Sequence, residues 1–436
     1  MKYRPSRLFV ASMSFLLGAG AVWGWAWKRA SDAPGYVQAQ HGFLASLGNW
    51  DIGYRMPMPE DRVRLREPVD QQMRQLETEF PALGVEMHPV PDEQNGYLQM
   101  HLLGGGGRFP GFPGDADFRD YLANSEPWDA NAARQQFSRN AELVGRVERI
   151  AALKHRSSAA MPPDFNGFIS QTAARYASTI LLMKARLAAE GGDEAMCLRY
   201  VELTGNLANH FHDVETPNIL GEAVRIMLDL EVQRYAFQYL LPALGKEADL
   251  VKWKAALARY RYTPADFADV VRGEYVTSSR FFLLPSILDD RNPDQPNDAA
   301  TLARVYASTY EAAVNRLRTV TCCEWATEPV TSKPEGFASL SGKSREFGGL
   351  VVWNAAGGPC KAQYLRAIRV LSLHQAAIDL LALEKQGIPA ATGPVTGVTR
   401  DPVENEPFIY DAYRRTLAAR ESGIDGLHAD PVRLPW

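Results

Sequence analysis

The sequence predicts a mainly α protein: an irregular multi-helix bundle with an N-terminal transmembrane helix and a small C-terminal β-hairpin or loop. Three observations predict it. Leu8–Trp27 is apolar and uncharged, with Lys2, Arg4 and Arg7 before it and Lys28 and Arg29 after it. From about Asn131, apolar residues recur at steps of three and four, in segments that open on capping residues and close on glycine or proline. In the C-terminal tail, turn residues bracket a short strand-like stretch. The chain therefore divides into a cytoplasmic tail at 1–7, an anchor at 8–27, an irregular juxtamembrane region with a short strand at 28–130, a helical bundle at 131–391 and a turn or hairpin tail at 392–436.

At 1.5 Å per residue a helix over Leu8–Trp27 is about 30 Å long, the thickness of a bilayer's hydrocarbon core. Trp23, Trp25 and Trp27 gather at its far end, where an interfacial belt of aromatic rings belongs. The basic residues favour the N-terminus inside, which places the body on the extracytoplasmic side of an inner membrane. A cleaved signal peptide with a site at Ala19-Gly20-Ala21 is the rival reading. The apolar run continues past that site, which favours retention.

Between 28 and 130, proline and glycine are dense, as in Gly104–Gly114, GGGGRFPGFPG. That run lacks the Lys-Ser/Thr of a phosphate loop and reads as a surface loop. Val69–Glu79 has helical character, and Tyr97–Leu103 alternates like a short strand. Long helices are expected over Asn131–Arg156 and Asp164–Glu190. Asp193 caps a helix to about His212, and Pro217 opens one that runs to about Leu241 and stops before Pro242. In that last helix Ala223, Ile226, Met227, Leu230, Phe237 and Leu241 form the apolar face. Thr263-Pro264-Ala265-Asp266 is a helix start, Asp298 caps a helix to about Arg318, and a final helix runs from near Lys361 to Gln386 and ends at Gly387. Short connections between 156 and 265 imply antiparallel neighbours. Thr327–Pro359 is a long loop carrying an apolar strand at Leu350–Trp353, and Pro407–Tyr410 leads into a short strand.

The net charge is −4, from 47 basic and 51 acidic residues, with no basic patch of the kind nucleic-acid binding needs. The cysteines are Cys197, Cys322, Cys323 and Cys360, and no C-x-x-C occurs. In an oxidising compartment Cys360 pairs with Cys323 or Cys322 and closes the loop between them; free buried thiols are the alternative.

Candidate chemistry is sparse. HExxH, G-x-S-x-G and S-x-x-K are absent. His210 and His212 are two apart, so on a helix they point away from each other and cannot share a metal. His374, beside Val370, Leu371, Ile378 and Leu381, reads as a core histidine. Glu274, in Arg272-Gly273-Glu274-Tyr275 with Phe281 and Phe282 nearby, is the best single acid, a catalytic candidate whose pKa burial would raise. The competing reading is a packing contact. Asp290, Asn292 and Asp294 alternate like the start of a calcium loop but lack its glycine and its closing glutamate.

The closing pattern DPVENEPFIYDAY…SGIDG resembles the C-terminal loop of type II secretion pseudopilins, which is associated with calcium. The resemblance covers the last ~30 residues and would make Asp425 and Asp430 the metal-binding candidates. The pilin-type leader is missing. The longer arrangement resembles an uncharacterised family of single-span, helix-rich bacterial envelope proteins, through Arg272-Gly273-Glu274, Gly387-Ile388-Pro389 and the Asp401-Pro402 tail. That likeness implies no activity.

Three readings of function follow. The first is a membrane-anchored extracytoplasmic protein of the cell envelope that works by interaction or as a structural component. The second is an exported hydrolase-like enzyme, marked by a cleft with polar groups converging on Glu274. The third is a calcium-stabilised secretion accessory. A scaffold would instead pair Glu274 with an arginine and expose apolar patches.

Overall fold

The computed structural model describes residues 59–105, 112–124, 127–159, 171–258, 262–289, 298–328, 358–388, 390–422 and 427–436. The expected anchor at 8–27, the tail before it, Asp290–Asp294, the strand at Leu350–Trp353 and Asp425 lie outside the described residues. The chain divides into two compact units, Met1–Gly53 with Ser422–His428 and Tyr54–Glu421 with Ala429–Trp436; all the helices and strands below belong to the second. Among the described residues no helix is long and apolar enough to cross a membrane.

The architecture is mainly α. Helices α1 (Pro59–Arg64) and α2 (Arg66–Glu79) open the unit, and α2 buries Val69, Met73 and Leu76 at steps of four and three. The strand expected at Tyr97–Leu103 is instead helix α3 (Gly96–Leu103). Asn95 caps it by accepting from the Leu98 N–H, and it buries Gly96, Tyr97, Leu98, Met100, His101 and Leu103. Burial nearly all round gives no 3.6-residue stripe, so the segment imitates alternation. Helix α4 (Ala116–Ala123) starts on Asp115, which accepts from the Phe118 N–H. Among the described residues the region before 131 is therefore largely helical rather than irregular.

The helix expected over Asn131–Arg156 is two, α5 (Ala130–Arg139) and α6 (Ala141–Ala152). They part at Asn140, whose side-chain amide donates to the Gln136 carbonyl at 3.0 Å. A short amide side chain that competes for backbone groups weakens a helix there. Helices α7 (Gln171–Glu190) and α8 (Glu194–Asn209) form a closely packed antiparallel hairpin. Gly192 turns the chain at φ +74°, and Asp193 accepts from the Met196 N–H, as its position predicts. Tyr97, Phe118, Phe137, Val147, Ile180, Leu207, Phe211 and Leu228 belong to one core that joins α3 through α8 to the next helix.

That helix, α9 (Ile219–Tyr235), is capped by Asn218. It does not stop before Pro242. A π turn (Ala236–Leu240), in which the Leu241 N–H bonds to the Ala236 carbonyl, carries the chain into Leu241–Leu244 with the proline inside. The wider turn reassigns a carbonyl that a proline would leave without a donor. Helix α10 (Leu250–Ala258) follows. Helix α11 (Pro264–Ser278) opens on the expected capping box of Thr263 and Asp266. It too passes through a π turn (Ser279–Leu283) before Leu284–Leu288, which carries Pro285. Helix α12 (Ala299–Leu317) packs on α11; Asp298 holds the N-cap position without a side-chain capping bond. After the short α13 (Cys322–Thr327), α14 (Gly358–Lys385) packs on α9 and α10 and ends as predicted, with Gly387 at φ +79° and the Ile388 N–H returning to the Leu383 carbonyl.

The tail, expected as a small hairpin or loop, forms a small four-stranded sheet. Strands β1 (Gly393–Pro394), β2 (Ile409–Asp411), β3 (Thr416–Ala418) and β4 (Val432–Arg433) run antiparallel in that order. Arg369 of α14 pins it: the guanidinium Nε meets Asp401 Oδ2 at 2.6 Å and Nη2 donates to the Arg420 carbonyl, with both partners of the ion pair almost wholly buried.

Two close approaches depend on glycine. A Cβ on Gly273 of α11 would lie 1.9 Å from the Pro217 carbonyl oxygen, and one on Gly96 would lie 2.2 Å from the His210 ring. Gly273→Ala and Gly96→Ala should each destabilise the fold by roughly 1–3 kcal/mol. Gly273→Ala should cost more, because it meets backbone. Urea melts of the two variants check this, and an unchanged midpoint for Gly273→Ala would contradict the packing described.

Candidate functional site

Helix α9 has an unusual inner face. Beside the buried Val224, Leu228 and Val232 it buries Glu222, Arg225, Asp229 and Gln233, while Ala223, Ile226, Met227 and Leu230 are only half-buried. Charges held away from water must be paired, and these are. His212 Nδ1 lies 2.9 Å from Glu222 Oε2, and Arg225 reaches Glu222 at 3.4 Å and Asp229 at 3.7 Å. The Arg225 guanidinium sits 4.4 Å from the Tyr262 ring centroid, and the Tyr262 hydroxyl donates to Asp229. Gln233 donates to the Leu257 carbonyl at the end of α10. Burial pushes the Glu222 carboxyl up, but Arg225 and His212 outweigh it and hold the carboxyl below its ordinary value. Burial alone would lower Arg225; the Glu222 charge reverses that and raises it.

Glu274 sits elsewhere. Close packing at Gly273 brings α11 against the N-terminus of α9, where Glu274 accepts from the Ile219 N–H at 3.1 Å and from the Ser278 hydroxyl at 2.7 Å. Burial raises its carboxyl, and the two hydrogen bonds offset only part of that. Glu274 is absent from the linings of the two grooves described below, and its neighbour Arg272 pairs with Asp269 at 3.1 Å. The Glu274 carboxylate satisfies a helix N-terminus.

His210 and His374 are structural. His210 Nε2 donates to the Ile150 carbonyl at 2.8 Å while Nδ1 accepts from Arg156 Nε at 3.0 Å, which fixes a neutral tautomer. Burial, helped by Arg156, lowers its pKa to about 3. His374 donates from Nδ1 to the Val370 carbonyl and packs edge-on against Phe237, and burial lowers it to about 4. It is a core histidine, as its surroundings predict.

All four cysteines are free thiols, so the structure does not join Cys323, or Cys322, to Cys360. Their surroundings differ. Cys360 is pushed up to about 12 by burial, with Glu274 as its charged neighbour, whereas Cys322 is pushed up to about 11 by burial beside Cys323, Asp266 and Asp401. Asp430 is exposed, and among the described residues no group of three or more metal-binding side chains converges. Asp401, the first residue of the tail motif, is the buried partner of Arg369.

A groove of about 600 Å³ was not foreseen. Three separate segments build it: Val85, Glu86, His88 and Val90; Lys154, His155 and Arg156; and Asp213, Val214 and Glu215, with Arg272 at its edge. Its floor is tightly bonded. Glu215 accepts from the His88 and Ser158 N–H groups and from the Ser157 and Ser158 hydroxyls, and Arg156 joins Asp213 at 3.1 Å. Comparisons with family models, with curated proteins and with solved structures gave no match to this chain.

Two outcomes follow. Arg225→Met leaves Glu222 and Asp229 buried without their cation and should cost roughly 3–5 kcal/mol in urea melts, whereas replacing all three charges with apolar residues should cost less. Glu274→Ala strands the Ile219 N–H and should cost about 1–3 kcal/mol, whereas Glu274→Gln keeps an acceptor. The Glu274 carboxyl is raised in the folded state, so its stabilising contribution is complete below its ordinary value of 4.5 and is lost as pH rises through the folded value. Melts over a pH series should therefore show Glu274→Gln gaining on the parent as pH increases.

Proposed function

We propose that this chain is an extracytoplasmic helical protein, held in the inner membrane by Leu8–Trp27, that serves the cell envelope by binding a partner rather than by catalysis. The observation that carries the reading is the use of its buried ionisable groups. Glu222, Arg225 and Asp229 are spent on one another, Glu274 on a backbone amide, and Arg369 on Asp401. A general acid or base has to face a reacting atom across a cleft, and the two hydrogen bonds of Glu274 are made to the Ile219 amide and the Ser278 hydroxyl. The likeness to single-span, helix-rich envelope proteins supports the same reading, as does the anchor's length. Large apolar side chains exposed to solvent are scattered (Val63, Leu102, Val251, Ile388 and Tyr413), so they do not specify where a partner binds.

The test is fractionation of a bacterial host that makes the full chain. The protein should stay in the membrane pellet through alkaline carbonate extraction. Protease added to spheroplasts should digest its body while a cytoplasmic control survives. Release by carbonate, or a body protected until the membrane is opened, would sink the proposal.

A further inference from the structure

The outer side of α8 borders a groove of about 540 Å³ that it shares with α10. Exposed Ala195, Arg199 and Glu202 line it from α8, and exposed Lys252 and Ala255 from α10, with Leu198 beneath. Glu194 fixes the two helices against each other. Its Oε1 accepts from the Asp249 N–H at 2.7 Å and from Trp253 Nε1 at 2.9 Å. Half-buried Asn206 continues the α8 row, so 195, 199, 202 and 206 form one stripe at steps of four, three and four.

The two charges on that stripe are unspent. Arg199 and Glu202 have no ion partner among the described residues. They stand three apart on one helix, but with the base ahead of the acid, which is the poorer order for an intrahelical pair. The charges around them are matched: Lys252 with Asp249 at 3.1 Å, Lys254 with Asp379 at 2.7 Å, and Lys184 with Glu148.

The stripe is complementary to itself. A two-fold axis through the midpoint between Arg199 and Glu202 lays a second α8 antiparallel on the first, and residues equally far from the midpoint then face each other. Arg199 of each copy meets Glu202 of the other, and Ala195 meets Asn206. A parallel pairing would set like against like. Ala195 and Ala255 are short enough for another helix to come close. The 16 residues of α8 span about 24 Å, and a strip of that length and two helices wide buries on the order of 1,000 Å² over both copies. That is the low end for a specific interface, so the association is weak and follows protein concentration.

We propose that two copies of this chain associate through this face, as an antiparallel α8 pair joined by reciprocal Arg199–Glu202 ion pairs. The inference rests on the reading of this chain as a partner-binding protein and names the partner as a second copy.

The experiment is sedimentation equilibrium of the full chain in density-matched detergent over a series of protein and salt concentrations. A monomer–dimer equilibrium that weakens as salt rises is expected. Arg199→Glu makes all the facing groups acidic and Glu202→Arg makes them all basic, so each should weaken dimerisation at least about tenfold. The double variant R199E/E202R restores opposite charges at both contacts, as does an equimolar mixture of the two single variants, and both should recover the parent's association. Both side chains are exposed, so the melting midpoints of all the variants should stay near the parent's. A chain that is monomeric at every concentration, a dimer that neither reversal weakens, or a loss that neither the double variant nor the mixture repairs would overturn the proposal. Association is measured without reference to the membrane, so its failure leaves the fractionation result standing, and the converse also holds.

Discussion

The arrangement of the helical unit turns on one demand: Arg225 cannot be buried alone. A guanidinium out of water needs compensating charge and hydrogen-bonding partners from several directions. Here they come from its own helix through Glu222 and Asp229 and from the residue before Thr263 through the Tyr262 ring, while His212, after α8, holds Glu222 in turn. Tyr364 of α14 completes the enclosure, its ring set edge-on to Tyr262 at 5.3 Å. The polar side of α9 thus dictates which neighbours it accepts and in what rotation. An apolar stripe in its place would tolerate sliding; charge pairs do not.

Much of the helical framework was legible because it is set by local chemistry. Asp193 before α8, Thr263 and Asp266 before α11, and Gly387 after α14 act within a turn of themselves and read correctly. The errors came where tertiary contacts override local pattern. Gly96–Leu103 is buried nearly all round, so no stripe marked it as a helix. Asn140 divides α5 from α6 by taking a carbonyl, a choice that periodicity does not register. The apolar residues of α9 suggested a conventional inner face, yet an ionic stripe is buried beside Val224, Leu228 and Val232, because its partners come from distant segments.

The candidate site was legible only in part. Glu274 could be singled out by its aromatic surroundings, and its raised carboxyl fits that expectation. Its task could not be foreseen, since the group it satisfies, the Ile219 amide, lies 55 residues earlier. The groove left a fainter trace. Its walls are short stretches without periodicity, and only the paired prolines after His88 and Val90 marked one of them as a place where no helix would form. Its shape depends on three segments meeting, which spacing along the chain does not encode.

The two π turns have a geometric consequence. Each precedes the same triplet, ending on Leu240 and Leu283 and running into Leu241-Pro242 and Leu284-Pro285. One extra residue in a turn swings everything after it by about 100° around the axis. A rod that looks continuous is therefore two rods with differently aimed sides. Beyond its π turn the first keeps the contact with α7 that it makes before it, and the second lies chiefly on α2 while still touching α12. The proline of the second rod thus obliges a single stretch of chain to serve two layers of the bundle.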